Sequence, residues 1–304
     1  MKIRWQDTKG VLGESSVILS LRYDRGRDTP ADSLVCQLAL KKPMGELCQL
    51  WLEEQGRQLF HGFLDKQEQW EEGGWQMLRL TARGLGGLLL DDEAMPQVYE
   101  SPTMEQVFRR HCLPYGAVNG VGAGGVSGRY VVSKGMSQWE AFSQFCRRVT
   151  GLYPFLQGDT VVIQPASPKI WRFGAGGLPT AELRQIYSRH RVIAQVAIRD
   201  KNGLYTSIAQ NQKAMEKGIR RQRYLIPSPQ WALDAGGSGD SLLRQSAAQW
   251  ETWQVQAAGV FTVAPGDFVS CRDGWGREFS GTAHQVQVEA GPAGRFTHIT
   301  ICRE

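Results

Sequence analysis

Apolar residues recur at every second position over several stretches near the start of the chain. They are Val17, Leu19, Leu21 and Tyr23, then Leu34, Cys36, Leu38 and Leu40, then Cys48, Leu50 and Leu52. Successive side chains of a strand point to opposite faces, so this period predicts half-buried antiparallel strands. The alternation returns towards the C-terminus in Val192, Ala194, Val196 and Ile198, in His284, Val286 and Val288, and in Ile299 and Ile301. Both ends of the chain are therefore expected to be mainly β.

The middle follows a different period. After Ser101 and Pro102, read as N-cap and first helical residue, Met104, Val107, Phe108 and Cys112 fall at helical spacing. Ser137 and Glu140 have the capping-box spacing, and Trp139, Phe142, Phe145, Cys146 and Val149 then form one apolar stripe that Gly151 ends. Such a stripe is expected to be core. Residues 120–128 are too rich in glycine for regular structure, and the stretch FLQGDTVVI reads as a hairpin with its turn near Gly158 and Asp159. A third helix is expected near residues 240–250, after the flexible run Gly236, Gly237, Ser238 and Gly239.

The two β ends share an order of landmarks as well as a period. The first reads KPMGELCQLWLEEQGRQLFHGF and the second APGDFVSCRDGWGREFSGT. Each opens with proline and then glycine (Pro43 and Gly45; Pro265 and Gly266), turns at a glycine (Gly56; Gly276) and returns through an FxG triplet ending at Gly62 or Gly281. A polar strand, a glycine-bearing turn and a closing apolar strand follow, with spacings that agree within about three residues. A glycine on a strand that turns a barrel corner permits a tight bend and a close backbone approach. Gly45, Gly62, Gly266 and Gly281 are therefore the candidate structural corners. The fold expected is mainly β with an α/β insertion. Two similar small β-barrels occupy residues 1–95 and 170–304, the second with a helical excursion near 240–250, and residues 96–169 form the inserted α/β domain.

Composition and charge narrow the function more than they specify it. With 41% hydrophobic and 21% charged residues among 304, the chain has the composition of an ordinary folded protein. No stretch approaches the roughly 20 apolar residues of a membrane span, and MKIRWQDTKG has no signal-like apolar run. The six cysteines (Cys36, Cys48, Cys112, Cys146, Cys271, Cys302) have neither CxxC nor Cys/His ligand spacing, so they read as free thiols and not as a metal or redox site. His61, His111, His190, His284 and His298 are dispersed; Asp91, Asp92 and Glu93 read as a solvated triplet; Gly84, Gly86 and Gly87 do not match a phosphate-binding spacing. No nucleophile with its base, carboxylate pair or metal cluster is visible, so neither an enzyme nor a cofactor is expected. The net charge is +5, and Lys213, Lys217, Arg220, Arg221 and Arg223 form its one local cluster, a candidate contact for phosphate or an acidic partner.

Several segments, in this order, resemble a known family. LFHGFLD runs into LTARGLGGLLLDDE; SPTMEQVFRRHCLPYG and YVVSKGMSQWEAFSQFCRRVTGLYPFLQGDTVVIQP follow; APGDFVSC, the FxG strand and FTHITI close the chain. Together they resemble the baseplate hub proteins of contractile-tailed phages, the Mu-like tail protein and late control protein D among them, and the base of type VI secretion spikes. The resemblance implies a structural subunit of a phage tail or related injection particle. Three copies, two barrels each, would form a homotrimeric ring around a channel, matching a sixfold tail tube or tube initiator on one face and a threefold spike on the other. It also implies passing contact with DNA in the channel, no membrane insertion, and assembly in the bacterial host cytoplasm before residence in the virion or particle. The long loop at 120–128 departs from the family, and with no appended lysozyme-like or peptidase domain a lytic activity is not carried over. The alternative is a cell-wall binding module. Residues 130–165 have the strand, glycine turn and capped helix of a LysM repeat, but pass directly into FLQGDTVVI where that repeat has a second helix.

Overall fold

The period-two stretches become strands, and most of those strands join one sheet. The computed structural model describes residues 1–40, 42–227 and 237–303. The N-terminal unit contains β1 (Lys2–Asp7), β2 (Leu12–Ser15), β3 (Ile18–Gly26), β4 (Ser33–Leu40), β5 (Leu47–Glu54), β6 (Arg57–Glu72) and β7 (Trp75–Arg83). Their order is β3-β4-β7-β6-β5-β1-β2, antiparallel throughout. Leu34, Cys36 and Leu38 of β4 alternate inward and close a core with Ile3, Leu21, Tyr23, Leu50, Leu52, Phe60, Leu78 and Leu80. Two glutamine side chains of β6 fasten the strap that leads into β5. Gln69 exchanges two 2.8 Å hydrogen bonds with the backbone of Met44, while Gln67 accepts from Leu47 N and donates to Gly45 O, both at 2.9 Å.

The middle unit holds α1 (Leu85–Asp91), β8 (Gln97–Glu100), α2 (Met104–His111), β9 (Val118–Asn119), β10 (Arg129–Val132), α3 (Gln138–Thr150), β11 (Phe155–Gln157) and β12 (Thr160–Val162). Its core begins earlier than residue 96, because Leu89 of α1 and Ala94 pack with Val107, Phe108, Trp139, Phe142 and Phe145. The α3 stripe is core as expected: Phe142 and Phe145 are fully buried, with Phe108 edge-on to Phe142 at 5.6 Å. Ser137 and Glu140 form the capping box, and Gly151 ends the helix in the left-handed conformation. At α2 the cap is Thr103, boxed with Gln106, and not Ser101; Ser101 itself has a φ of 49° and precedes the helix. The LysM-like residues 130–165 share this one core with α1 and α2 and so do not form a separate packed module.

The C-terminal part begins with β13 (Ile170–Gly174) and β14 (Glu182–Tyr187). It then leaves the main sheet for a small unit of β15 (Gln195–Ile198), β16 (Ser207–Gln210), α4 (Gln212–Glu216), β17 (Gln222–Leu225) and α5 (Gly239–Ala247). Gly236, read with the lead into this last helix, lies outside the described residues. The alternation from Val192 to Ile198, expected to belong to the second barrel, instead serves this excursion: β15 pairs with β16 and β17, and Val192 and Ala194 pack on Ala214 and Ile219. The chain returns through β18 (Glu251–Ala258), β19 (Phe268–Arg272), β20 (Glu278–Gly291) and β21 (Gly294–Cys302). These strands run β14-β18-β21-β20, with β19 beside β20 and β13 beside β19, over a core of Phe173, Trp253, Val255, Val269, Phe279, Val286, Ile299 and Ile301.

The repeat reaches the level of hydrogen-bond register. One constant shift carries Gly62 to Gly281 and also relates the pairs around them: Leu50 opposite Gly62 becomes Val269 opposite Gly281, and Phe63 opposite Arg83 becomes Thr282 opposite Cys302. The ladder slips at the same place in both hairpins, between Leu64 and Lys66 and between Ala283 and Gln285. A Cβ on Gly62 would lie 2.7 Å from the carbonyl carbon of Arg83, and one on Gly281 2.8 Å from that of Cys302, the last residues of β7 and β21. The other proline-glycine landmarks part company. Gly266 has a φ of 89° and is crowded by Pro165, whereas Gly45 faces open space and contributes only its carbonyl. The halves also differ at their outer strand, since β1 is antiparallel to β5 but β13 is parallel to β19.

Two sets of substitutions check this packing by urea denaturation. Gly62→Val and Gly281→Val are each expected to lower stability by at least about 2 kcal/mol, because backbone occupies the space a side chain needs, whereas Gly45→Ala stays within about 0.5 kcal/mol. Phe142→Ala should cost about 3 to 5 kcal/mol, the range for emptying a fully buried phenylalanine site; a loss below about 1 kcal/mol would contradict its burial.

Candidate assembly surfaces

The two halves of the main sheet meet where β20 pairs with β3, from Gln285 opposite Gly26 to Ala290 opposite Leu21. β20 is long enough to serve three neighbours. Its first part pairs with β19, its second with β3, and β21 runs along its other side. The bulge after Ala283 sits at the handover and turns His284 out of the ladder. His284 O accepts from Arg27 N at 2.9 Å, and His284 Nε2 lies 2.8 Å from Asp28 Oδ2. Gln249 Nε2 donates to the same carboxylate at 3.0 Å. The hydrogen bond from His284 holds Asp28 below the usual carboxylate range.

The corresponding stretch of β6 has a different fate. Residues 57–63 pair with β5, but residues 66–72 pair only with β7 among the described residues. β14, which holds beside β18 the place that β3 holds beside β4, likewise has one ladder partner there. The run β14-β18-β21-β20-β3-β4-β7-β6 thus has an open edge at each end. Near β14 its polar face forms a hollow of about 310 Å³ lined by Glu182, Arg184, Gln254, Gln256, Gln285, Gln287 and His298.

The basic residues do not act as one patch. Arg221 donates to the carbonyls of Arg189 and Val192 at 3.3 and 3.0 Å and so fastens the excursion to the end of β14. Lys213 stands 5.8 Å from the centre of the Trp250 ring, and Lys217 lends its carbonyl to Arg189. Arg220 and Arg223 are exposed, the latter on β17 beside an exposed Tyr224 that packs edge-on to Tyr205 at 5.1 Å.

The ionisable groups of the middle unit are held in separate structural bonds. Asp91 binds Arg83 at 2.6 Å, Asp92 accepts from the Tyr115 hydroxyl at 2.6 Å, and Glu93 accepts from Gly135 N at 2.9 Å. Gly86 of α1 is glycine because a Cβ there would run into the backbone of Pro30 and Ala31. His111 is buried, with Nδ1 2.7 Å from Gln138 Oε1 and Nε2 3.0 Å from the Tyr99 hydroxyl. Burial pushes its pKa down. Cys36, Cys112, Cys146, Cys271 and Cys302 are buried thiols, and burial raises Cys36 to about 12. Among the described residues no group of three His, Cys, Asp or Glu is arranged to hold a metal ion.

No family model matches the sequence, and no curated protein matches it either. Solved structures do share its fold. A tail protein from Neisseria meningitidis superimposes with a TM-score of 0.80 at 15% identity, over 99% of this chain and 96% of that one. The 43 kDa tail protein of prophage MuSo2 from Shewanella oneidensis gives 0.81 at 15% identity, over 100% and 98%. An E. coli component of the type VI secretion system, itself described as structurally similar to T4 tail proteins, gives 0.57 at 9% identity over 95% and 74%. The chain therefore has the fold of phage tail proteins of the Mu type, end to end.

The neutral, buried His111 makes a pH prediction. Its folded pKa lies below the unfolded value of about 6.5, so the unfolded chain binds more protons and stability falls as pH drops through about 6.5. Urea midpoints of the wild type between pH 8 and 5 should show this fall, and His111→Gln should be less stable at pH 8 but lack that part of the slope.

Proposed function

We propose that this chain is a structural hub subunit of a phage tail or phage-tail-like injection particle and performs no chemistry. Three copies form a ring that seats a sixfold tail tube or tube initiator on one face and a threefold spike on the other. The observation that carries the reading is the repeat together with its seam. Two halves with the same hairpin register are joined through β20 and β3, while the equivalent strand stretches, residues 66–72 of β6 and β14, stand open at opposite ends of the run among the described residues. An interface that joins unlike edges of successive copies is heterologous, and it ends in a closed ring when the rotations sum to a full turn.

Further assignments follow from this reading. The strands up to the end of β7 and those of the main sheet from β13 on are the two tube-type units, the middle unit that begins with α1 stands outside them, and Gly62 and Gly281 are the corners that shape both. The polar face with its hollow beside β14 lines the channel, where DNA passes. Lys213, Lys217, Arg220 and Arg223 lie near a subunit or channel surface, with Arg221 holding that region to β14. The particle assembles in the host cytoplasm and the chain ends in the tail baseplate. Fold likeness to tail proteins along the whole chain supports the class of protein. Electron microscopy of the purified chain, alone and coexpressed with its tube and spike proteins, tests the ring. Threefold rings with a central channel are expected; a chain that stays monomeric with both partners present overturns the reading.

A further inference from the structure

The seam inside the chain is a template for a seam between chains, down to its side chains. The repeat fixes which residues correspond. Cys36 opposite Leu80 and Val255 opposite Ile299 are equivalent pairs, and Leu21 lies opposite Cys36 as Leu183 lies opposite Val255. Leu21 of β3 therefore corresponds to Leu183 of β14, and counting on, Asp28 corresponds to His190. On the other strand, His284 corresponds to Asp65, since each is the single residue skipped at the shared bulge. His284 and Asp28 form the 2.8 Å bridge across the internal seam. Their counterparts are Asp65 and His190, the same two residue types with the roles exchanged.

Within one chain this second pair sits at opposite ends of the run, with six strands between β6 and β14. Their charges are complementary. Arg83 binds Asp65 at 2.7 Å and Asp91 at 2.6 Å, so two carboxylates share one guanidinium and leave a net negative site at the β6 end. At the β14 end Arg189, His190 and Arg191 stand in a row, and among the described residues the His190 ring has one hydrogen-bond partner, its neighbour Ser188, with 3.0 Å between Oγ and Nδ1. The repeat shows that a strap in the place of residues 44–47 is compatible with such a pairing. Its counterpart, from Val263 to Gly266, lies beside β20 while β20 pairs with β3.

We infer that β6 of one copy zips antiparallel to β14 of the next, with Gln69 opposite Gln185, and that Asp65 bridges to His190 of the partner subunit as a charge-reversed copy of the Asp28–His284 bridge. The inference rests on the ring reading above but fixes an interface that the reading leaves open. The internal register places Glu68 directly opposite Ile186 of the partner subunit, as Gln287 lies opposite Asp24. Directly opposed residues of an antiparallel pair have Cα atoms about 4.5 to 5.5 Å apart, within disulfide reach.

The test uses the full chain coexpressed with its tube and spike proteins. Glu68→Cys combined with Ile186→Cys, mildly oxidised, should give a covalent species of three chains on a non-reducing gel, and neither single variant should. Separately, Asp65→His and His190→Asp should each raise the concentration at which rings half-assemble by about tenfold, and the two together should restore it. Rings that form while the double-cysteine chain stays unlinked, or charge reversals that do not compensate, overturn this seam and leave the ring reading intact. Absence of rings and of cross-links with both partners present overturns both.

Discussion

The constraint on which this structure depends is that a strand edge must be paired, covered or made unattractive. β20 shows how the chain meets it within itself. One long strand carries β21 along one side and divides its other side between β19 and β3, and a bulge marks the division. Gly281 lies just before that bulge, where the end of β21 comes too close for any side chain. The glycine, the bulge and the handover are one device, and Gly62 with the bulge after Leu64 repeats it. What differs between the copies is whether the second half of the divided edge finds a partner in the same chain.

Much of this was legible in the sequence because it rests on local requirements. Period-two alternation gave the strands of both cores, and the FxG triplets were visible because close backbone approach admits only glycine. The α3 stripe and its caps were equally plain, since a 13-residue helix shows its full period. Partner choice was not legible. The alternation from Val192 to Ile198 looks like any other strand, yet it pairs locally with β16 and β17, because periodicity reports which face is buried and not which strand lies alongside. At α2 both Ser101 and Thr103 are good cap residues, and the capping box with Gln106 belongs to Thr103. The basic residues looked like one patch because they are near in sequence, but the fold turns Arg221 inward to two carbonyls and leaves Arg223 exposed.

The middle unit illustrates how apparent candidates for chemistry become structural once their partners are known. Asp91, Asp92 and Glu93 are adjacent in sequence, but they point to an arginine, a tyrosine and a backbone amide in three directions. His111 is neutral by burial and is held by Gln138 and Tyr99, which fixes its ring between α3 and β8. Such bonds give a small unit a unique arrangement, since a buried polar group left without its partner costs about 1 to 3 kcal/mol. The unit therefore owes its arrangement to a core and a set of polar bonds of its own.

The differences between the two copies fall where an edge differs in fate. On β20 the positions beside β3 that face the core are Val286 and Val288, both buried. At the equivalent positions of β6 stand Gln67 and Gln69, and between and around them Lys66 and Glu68 form an exposed ion pair at 2.9 Å. An apolar pair at that place would make the edge adhesive before any partner arrives, which is how exposed flat strands come to aggregate. Glutamine keeps the hydrogen-bonding side chain long enough to hold the strap at Met44 and Leu47, while the backbone edge stays available. The permanently joined edge has thus become apolar and the open one polar, although the backbone register of the two is the same.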